Sequence, residues 1–334
     1  MPGRATNEAE NYFAVGKQSA KDIEATTYQF TRHLDGTGME VAEQVESIRE
    51  GGDGQEVGLR FKTAIDTDGQ SVCYARPETS ARLDAWCLGA DTTALPADLP
   101  AAASGAVHEH TAVPTLSGAY LTIEQQFADE IERLTNGQIT TLTVEFEQGR
   151  PLRITHEYIG GGSSYRRDIA SRLTPARESG QPFMYPGASA VIDGAGTTKM
   201  TRGRMTIRRN VDTDIRTTGL AREDVVPQNF DVEVEGTLKY EDKTLYDKVH
   251  YGSGSQIPLD LATGSFRLLS QFGSGTNMRR KEYGVNQMHY TGARVNKLDP
   301  DGRTMYLDFT AMGYKAATHQ VFARTWTASA AAFT

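Results

Sequence analysis

The chain is written twice, and that duplication limits its architecture more than any other feature. Strand-like alternation at Leu121, Ile123 and Gln125 before Phe127 returns at Phe266 and Leu268 before Phe272, placing a shared Gln-Phe pair 145 residues apart (Phe127 to Phe272). The stretch from Gly149-Arg150 to Ile159-Gly160 returns as Gly302-Arg303 to Met312-Gly313. Val57, Leu59, Phe61, Thr63 and Ile65 alternate as Phe230, Val232, Val234, Gly236 and Leu238 do, each set marking a strand with one buried face. Leu83–Gly89 and Tyr246–Gly252 each read as a short helix ended by a glycine that can take positive φ. The order of elements is the same in both halves, so the sequence reads as mainly β, in two copies of one fold that each carry a short helix.

Glycines and prolines set the boundaries. Gly160–Gly187 holds a Gly-Gly-Gly run with Pro175, Pro182 and Pro186, which interrupt any periodicity. The expected division is an N-terminal arm over 1–23, a first copy over 24–162, a linker over 163–187 and a second copy over 188–334. Residues 91–118, Ala/Pro-rich in part, read as a surface excursion of the first copy. Two long polar segments, Glu43–Gln55 and Asp212–Gln228, lie beside early strands and are candidate contact arms, with Glu43, Glu46, Arg49, Asp53, Arg216, Arg222 and Asp224 as charged contact residues.

Composition removes several functional classes. No apolar run approaches the roughly 18–20 residues needed to cross a bilayer, and Met1–Glu10 is polar where a signal segment would be apolar. The expectation is a soluble chain made in the cytoplasm, with no membrane partner. The net charge of −8 disfavours a protein that grips nucleic acid. Cys73 and Cys87 are too few for a disulfide framework and read as buried thiols. His108-Glu109-His110 is the one cluster with metal-ligand types, but it lacks a third ligand and reads as a solvated loop. No P-loop, nucleophile elbow or paired Ser/Cys-His arrangement is visible, so neither catalysis nor a cofactor is expected. Arg202, Arg204, Arg208 and Arg209, with Arg166, Arg167, Arg172 and Arg177, read as partners for acidic neighbours within the fold or across a subunit contact.

The clearest charge pattern is Asp231, Glu233 and Glu235 alternating with Phe230, Val232 and Val234. Glu145 and Glu147, behind Thr143, repeat it opposite Leu142, Val144 and Phe146. One reading is an ordinary wet sheet face; the other is a channel lining whose carboxylates repel phosphate.

The segments Glu24–Tyr28, Pro114–Phe127, Asn136–Val144 with the Gly149 turn, and Phe230–Gly236 with Leu245-Tyr246-Asp247 resemble the tandem-domain tail tube (major tail) proteins of long-tailed phages and related viruses. That resemblance implies two β-sandwich or half-barrel units per chain contributing to a ring-shaped β-barrel. Three chains would then close a pseudo-hexameric ring that stacks around a lumen for genome delivery. It implies as partners further copies of the chain, a tape-measure protein, tail terminator and baseplate or hub proteins, and viral DNA that passes without specific binding. A baseplate hub or other β-rich tail component is the alternative from the same class. A carbohydrate-binding or hydrolytic β-sandwich is the alternative from another, although Trp86 and Trp326 offer few aromatic platforms.

Overall fold

The computed structural model describes residues 12–48, 59–99, 105–127, 130–162, 164–171, 178–185, 188–193, 195–197, 200–213, 215–216, 219–241, 243–252, 256–295, 305–315 and 319–333. Strands dominate. The first half runs β1 (Phe13–Lys17), β2 (Gln29–Phe30), β3 (Gly38–Ile48), β4 (Leu59–Tyr74), α1 (Pro77–Leu88), β5 (Gly89–Ala94), β6 (His108–Pro114), β7 (Leu121–Phe127), β8 (Glu130–Glu147), β9 (Arg153–Gly160) and β10 (Ser164–Asp168). The second runs β11 (Ala188–Ile192), β12 (Ala195–Thr197), β13 (Met200–Asp212), β14 (Val226–Lys239), α2 (Thr244–Tyr251), β15 (Thr263–Phe272), β16 (Arg279–Val295), β17 (Tyr306–Gly313) and β18 (Val321–Thr327).

Both halves pair their strands antiparallel in one order. The first reads β1-β7-β8-β9-β4-β3 and the second β11-β15-β16-β17-β14-β13. The duplication extends to three irregularities. Bulges between Leu121 and Ile123, between Ile139 and Thr141, and after Gln44 recur between Gly264 and Phe266, between Tyr290 and Gly292, and between Arg209 and Val211. A bulge adds a residue and re-aims the strand, so shared bulges mean shared sheet curvature. Residues 13–17, expected within an N-terminal arm, lie on the outer side of β7 as β11 lies on β15.

Register corrects the sequence alignment in two places. Ile123 opposite Leu134 is the counterpart of Phe266 opposite Val285, so Phe127 corresponds to Ser270, two residues from the expected Phe272. Asp68 opposite Ile159 is the counterpart of Glu233 opposite Met312, which moves the β4 and β14 alignment by eight residues. Both slips are even, so the period-two pattern that produced the alignment could not detect them.

The helices follow from local chemistry. Pro77 opens α1, and the Glu178 carboxylate accepts from the Glu78 and Thr79 N–H groups at 2.9 and 2.8 Å, satisfying donors that helix geometry leaves free. Gly89 at φ 103 and Gly252 at φ 60 end the two helices, as the sequence predicts. Ten of the twelve α1 residues are buried, whereas α2 has none buried. Leu142, Val144, Phe146, Met205, Ile207, Val232 and Val234 share one core with Phe266 and Tyr283, so a single apolar layer runs through both halves.

Candidate lumen face and subunit edges

The face of the sheet opposite that core carries the acidic residues singled out in the sequence, but arginines stand between them. Arg202 lies opposite Glu147 and Arg204 opposite Glu145 where β13 joins β8, and Arg204 lies opposite Glu235 on its other side. Glu145 is 3.5 Å from Arg153, Glu147 is 3.0 Å from Arg150, and Glu233 is 3.8 Å from Arg208. Asp231 lies opposite Arg208 and accepts from Asn210 at 2.7 Å. Glu145, Glu147 and Glu235, with Asp35 and Asp308, line an open cleft of about 1010 Å³ that also holds Arg150, Arg153, Arg202 and Arg204. The face is charge-alternating, because β13 contributes cations at the positions where β8 and β14 contribute anions. These pairs are solvent-exposed and each is worth roughly 0–1 kcal/mol; their effect is on the local potential.

Register also changes the internal counterpart of the acidic row. Asp231 and Glu233 on β14 correspond to Asp66 and Asp68 on β4, while Glu145 and Glu147 belong to β8. Asp66 is buried within the chain, and Asp68, itself exposed, pairs with the same arm. Arg222 reaches Asp66 at 2.9 Å and Asp68 at 3.0 Å, and donates to the Gly160 carbonyl at 3.2 Å. Arg216 also pairs with Asp66 and donates to the Ile65 carbonyl at 3.3 Å. Burial pushes the Asp66 carboxyl up, but the two guanidinium groups outweigh it and hold its pKa below the ordinary 3.8. Asp224 pairs with Lys21 at 2.8 Å and accepts from Tyr120 Oη at 3.2 Å.

The second candidate arm is thus folded over the first copy, with Arg216, Arg222 and Asp224 engaged inside the chain. In the first arm, Glu43 pairs with Lys62 and Glu46 lies opposite Phe61 on the β3–β4 hairpin. Arg49 and Asp53 lie outside the described residues.

The two copies meet at a junction that sequence reasoning did not find. β13 adds to β8 alongside β9. Behind this seam, Asp84 of α1 pairs with Lys281 of β16, whose ammonium also donates to Thr325 of β18; His156 Nε2 lies 3.4 Å from Asp84. Asp84, Lys281 and His156 are fully buried. Burial alone would raise the Asp84 pKa, yet Lys281 and His156 hold it below its ordinary value. Arg209, 2% exposed, donates to the carbonyls of Cys87, Thr115 and Ser117 at 3.1, 2.7 and 2.8 Å.

Segment 328–333 of the second half then clasps the first. His110 lies between Asp91 at 2.9 Å and the Ser329 carbonyl at 3.0 Å, Phe333 stacks on it at 4.2 Å, and Trp86 donates to the Phe333 carbonyl at 2.9 Å. His108-Glu109-His110 is therefore part of strand β6, not a solvated loop. The β5–β6 pair gives it a buried face, which the Ala/Pro-rich stretch had masked in the sequence.

Among the described residues no group of three or more His, Cys, Asp or Glu side chains could hold a metal. Cys73 and Cys87 are buried free thiols, each pushed up by burial to a pKa of about 12. A comparison with curated proteins returned no match. The profile of the phage tail tube proteins matches residues 8–277, a span that includes the whole first copy, the β8–β13 pairing and strands β11–β15 of the second. Together with the β-rich architecture, this places the chain in the phage tail tube protein family.

Proposed function

We propose that three chains close a ring of six similar β units, and that these rings stack into the conduit of a virus tail. The observation that carries this reading is the identical strand order, bulges included, in two halves already joined edge to edge through β8 and β13. One such joint with free sheet margins on either side is a unit of a closed barrel, since closure pairs the backbone groups that an open edge leaves bare. In this reading residues 24–162, completed by β1 on β7 and β10 on β8, and 188–334 are the repeating units, and the rest of 163–187 links them. A tape-measure protein, a terminator and a baseplate or hub protein are the partners, and no turnover or cofactor is involved.

Glu145, Glu147, Asp231, Glu233 and Glu235 line the conduit with their neighbouring arginines. Alternating charge suits sliding DNA, because no run of cations is left to displace counterions from phosphates and hold the strand. Glu43, Glu46, Arg49 and Asp53 contact the adjacent ring, and Arg216, Arg222 and Asp224 hold the second arm on the sheet beside it. Electron microscopy of the purified chain tests the reading. Rings or rods with threefold or pseudo-sixfold symmetry are expected; a monodisperse monomer at every concentration and salt would overturn it.

A further inference from the structure

The internal joint specifies where the next chain would bind. β8 uses one side twice: residues 130–137 pair with β7, and residues 141–147 pair with β13. β16 is its counterpart and pairs with β15 over 279–289, with Tyr290 N–H reaching the Ala262 carbonyl at 2.9 Å. Beyond that, among the described residues, the same side of 291–295 has no strand against it. β3 is the counterpart of β13 and, among the described residues, pairs only with β4. Its residues 40–47 are all exposed, including Val41 at 37% and Val45 at 55%.

We propose that the ring closes where β3 of one chain adds antiparallel to the free side of β16 of the next, in the register that β13 already makes with β8. This rests on the ring reading above. The shared bulges fix the translation. Met205–Val144, Thr206–Thr143, Ile207–Leu142 and Arg208–Thr141 become Met39–Val295, Glu40–Arg294, Val41–Ala293 and Ala42–Gly292. Glu40 then faces Arg294, an opposite-charge pair directly across the joint.

Side chains occupy this edge in the single chain. The Gln125 carboxamide accepts from the Met39 N–H at 2.7 Å and donates to the Met39 carbonyl at 3.1 Å. His250 Nε2 of α2 lies 2.7 Å from the Ala293 carbonyl. Those are backbone groups that the translated register assigns to the incoming strand. Gln125 and His250 are placeholders: they satisfy the open margin until a neighbour displaces them, one way to keep an edge strand from indiscriminate pairing. The contrast between helices agrees with this, because α1 is covered at the inner joint by β18 and segment 328–333, while α2 has no buried residue.

The test is a cysteine pair in the full chain, Glu40→Cys with Arg294→Cys. These positions form a non-hydrogen-bonded pair, where Cα atoms approach to about 4.5 Å and a disulfide fits. Mild oxidation should give species of two and three chain masses on a non-reducing gel, whereas Val41→Cys with Arg294→Cys, aimed at opposite faces, should give none. A second arm reverses charge. Glu40→Arg or Arg294→Glu alone should raise the concentration needed for rings about tenfold, and the double exchange should restore it, a change of roughly 1.4 kcal/mol. Rings without the Glu40–Arg294 cross-link and without charge rescue would overturn the joint while leaving the tube reading intact. Absence of rings from the unmodified chain would overturn both.

Discussion

Replacing Lys281 with methionine tests the seam between the two copies most directly. Asp84, Lys281, His156 and Thr325 meet where α1 and β9 of one half touch β16 and β18 of the other, and the first three are fully buried. The charge on Asp84 is tolerated there because the ammonium and His156 surround it. Without Lys281, Asp84 loses its ammonium partner and retains the His156 contact at 3.4 Å. Stranding one member of a buried pair costs about 3–5 kcal/mol, a large share of the roughly 5–15 kcal/mol that holds a domain folded. At about 2 °C per kcal/mol for a chain of this size, the melting temperature should fall by roughly 6–10 °C. Asp84→Leu should cost a similar amount, since it leaves the buried ammonium with Thr325 and the face of Tyr283 but no counter-charge at hydrogen-bond distance. The double variant should recover most of the loss, because an apolar pair of comparable volume is often no worse than a buried ion pair. Chemical denaturation of all four proteins gives the cycle. Losses that simply add in the double variant would show that the two charges are not coupled and refute the argument.

Further outcomes follow from the same contacts. Burial opposes charge on His110, but Asp91 and the Ser329 carbonyl outweigh it and raise its pKa above 6.5. The clasp by segment 328–333 is therefore fully supported below pH 6.5 and weakens as pH rises through the folded-state value; Trp86 emission should follow that change, and His110→Gln should flatten it. Asp66 is shifted the other way, so its pairing with Arg216 and Arg222 contributes above pH 3.8 and is lost as pH falls through a value lower still, which an acid melt of Arg222→Ala against the unmodified chain would register as a smaller difference. At neutral pH that substitution should cost about 2–3 kcal/mol by denaturation, through charged hydrogen bonds to Asp66 and Asp68. Changing Glu145, Glu147, Asp231 and Glu233 to Lys should leave folding within about 1 kcal/mol per site, yet slow genome passage by placing lysines among Arg150, Arg153, Arg202 and Arg208. Unchanged infectivity of a virus carrying the changes would remove these residues from the lining.

The strands and both helix ends were legible because their signals are local. Alternation places Leu142, Val144 and Phe146 against Glu145 and Glu147, and Gly89 and Gly252 end the helices where left-handed backbone is needed. Alignment between copies is legible only modulo two, since every even slip preserves the inside–outside pattern; the shared Gln-Phe pair aligns Phe272 with Phe127, whereas the hydrogen-bond ladder aligns Ser270. The Arg–Glu alternation on the polar face needed the β8–β13 pairing, which joins residues about sixty positions apart. Asp84 and Lys281 are farther still at 197 residues, and neither carries a local sign that it will be buried.

Duplication also explains how the two kinds of joint can differ in chemistry. A ring of six identical units has six identical contacts, each of which must form from exposed surfaces and bear the same side chains. In a tandem chain the inner contact forms during folding and pays no association cost, so it can bury groups that a free surface would strand. Lys281, Asp84 and Arg209 sit at that contact. By strand register Lys281 and Arg209 correspond to Glu130 and Glu43, and Asp84 corresponds to Asp247 when the helix-ending Gly89 and Gly252 are aligned; none of the three is buried. The proposed outer contact has to survive as open edge before assembly, and its backbone groups at Met39 and Ala293 are held by Gln125 and His250, both removable. Removing a placeholder should therefore act in the opposite sense from removing Lys281. Gln125→Ala should leave the cooperative melt within about 1–2 kcal/mol of the original, the cost of an exchanged hydrogen bond, while making the chain associate at lower concentration. Light scattering against concentration reads this directly, and a Gln125→Ala chain that needs more protein to form rings would mean that the carboxamide supports the joint instead of guarding it.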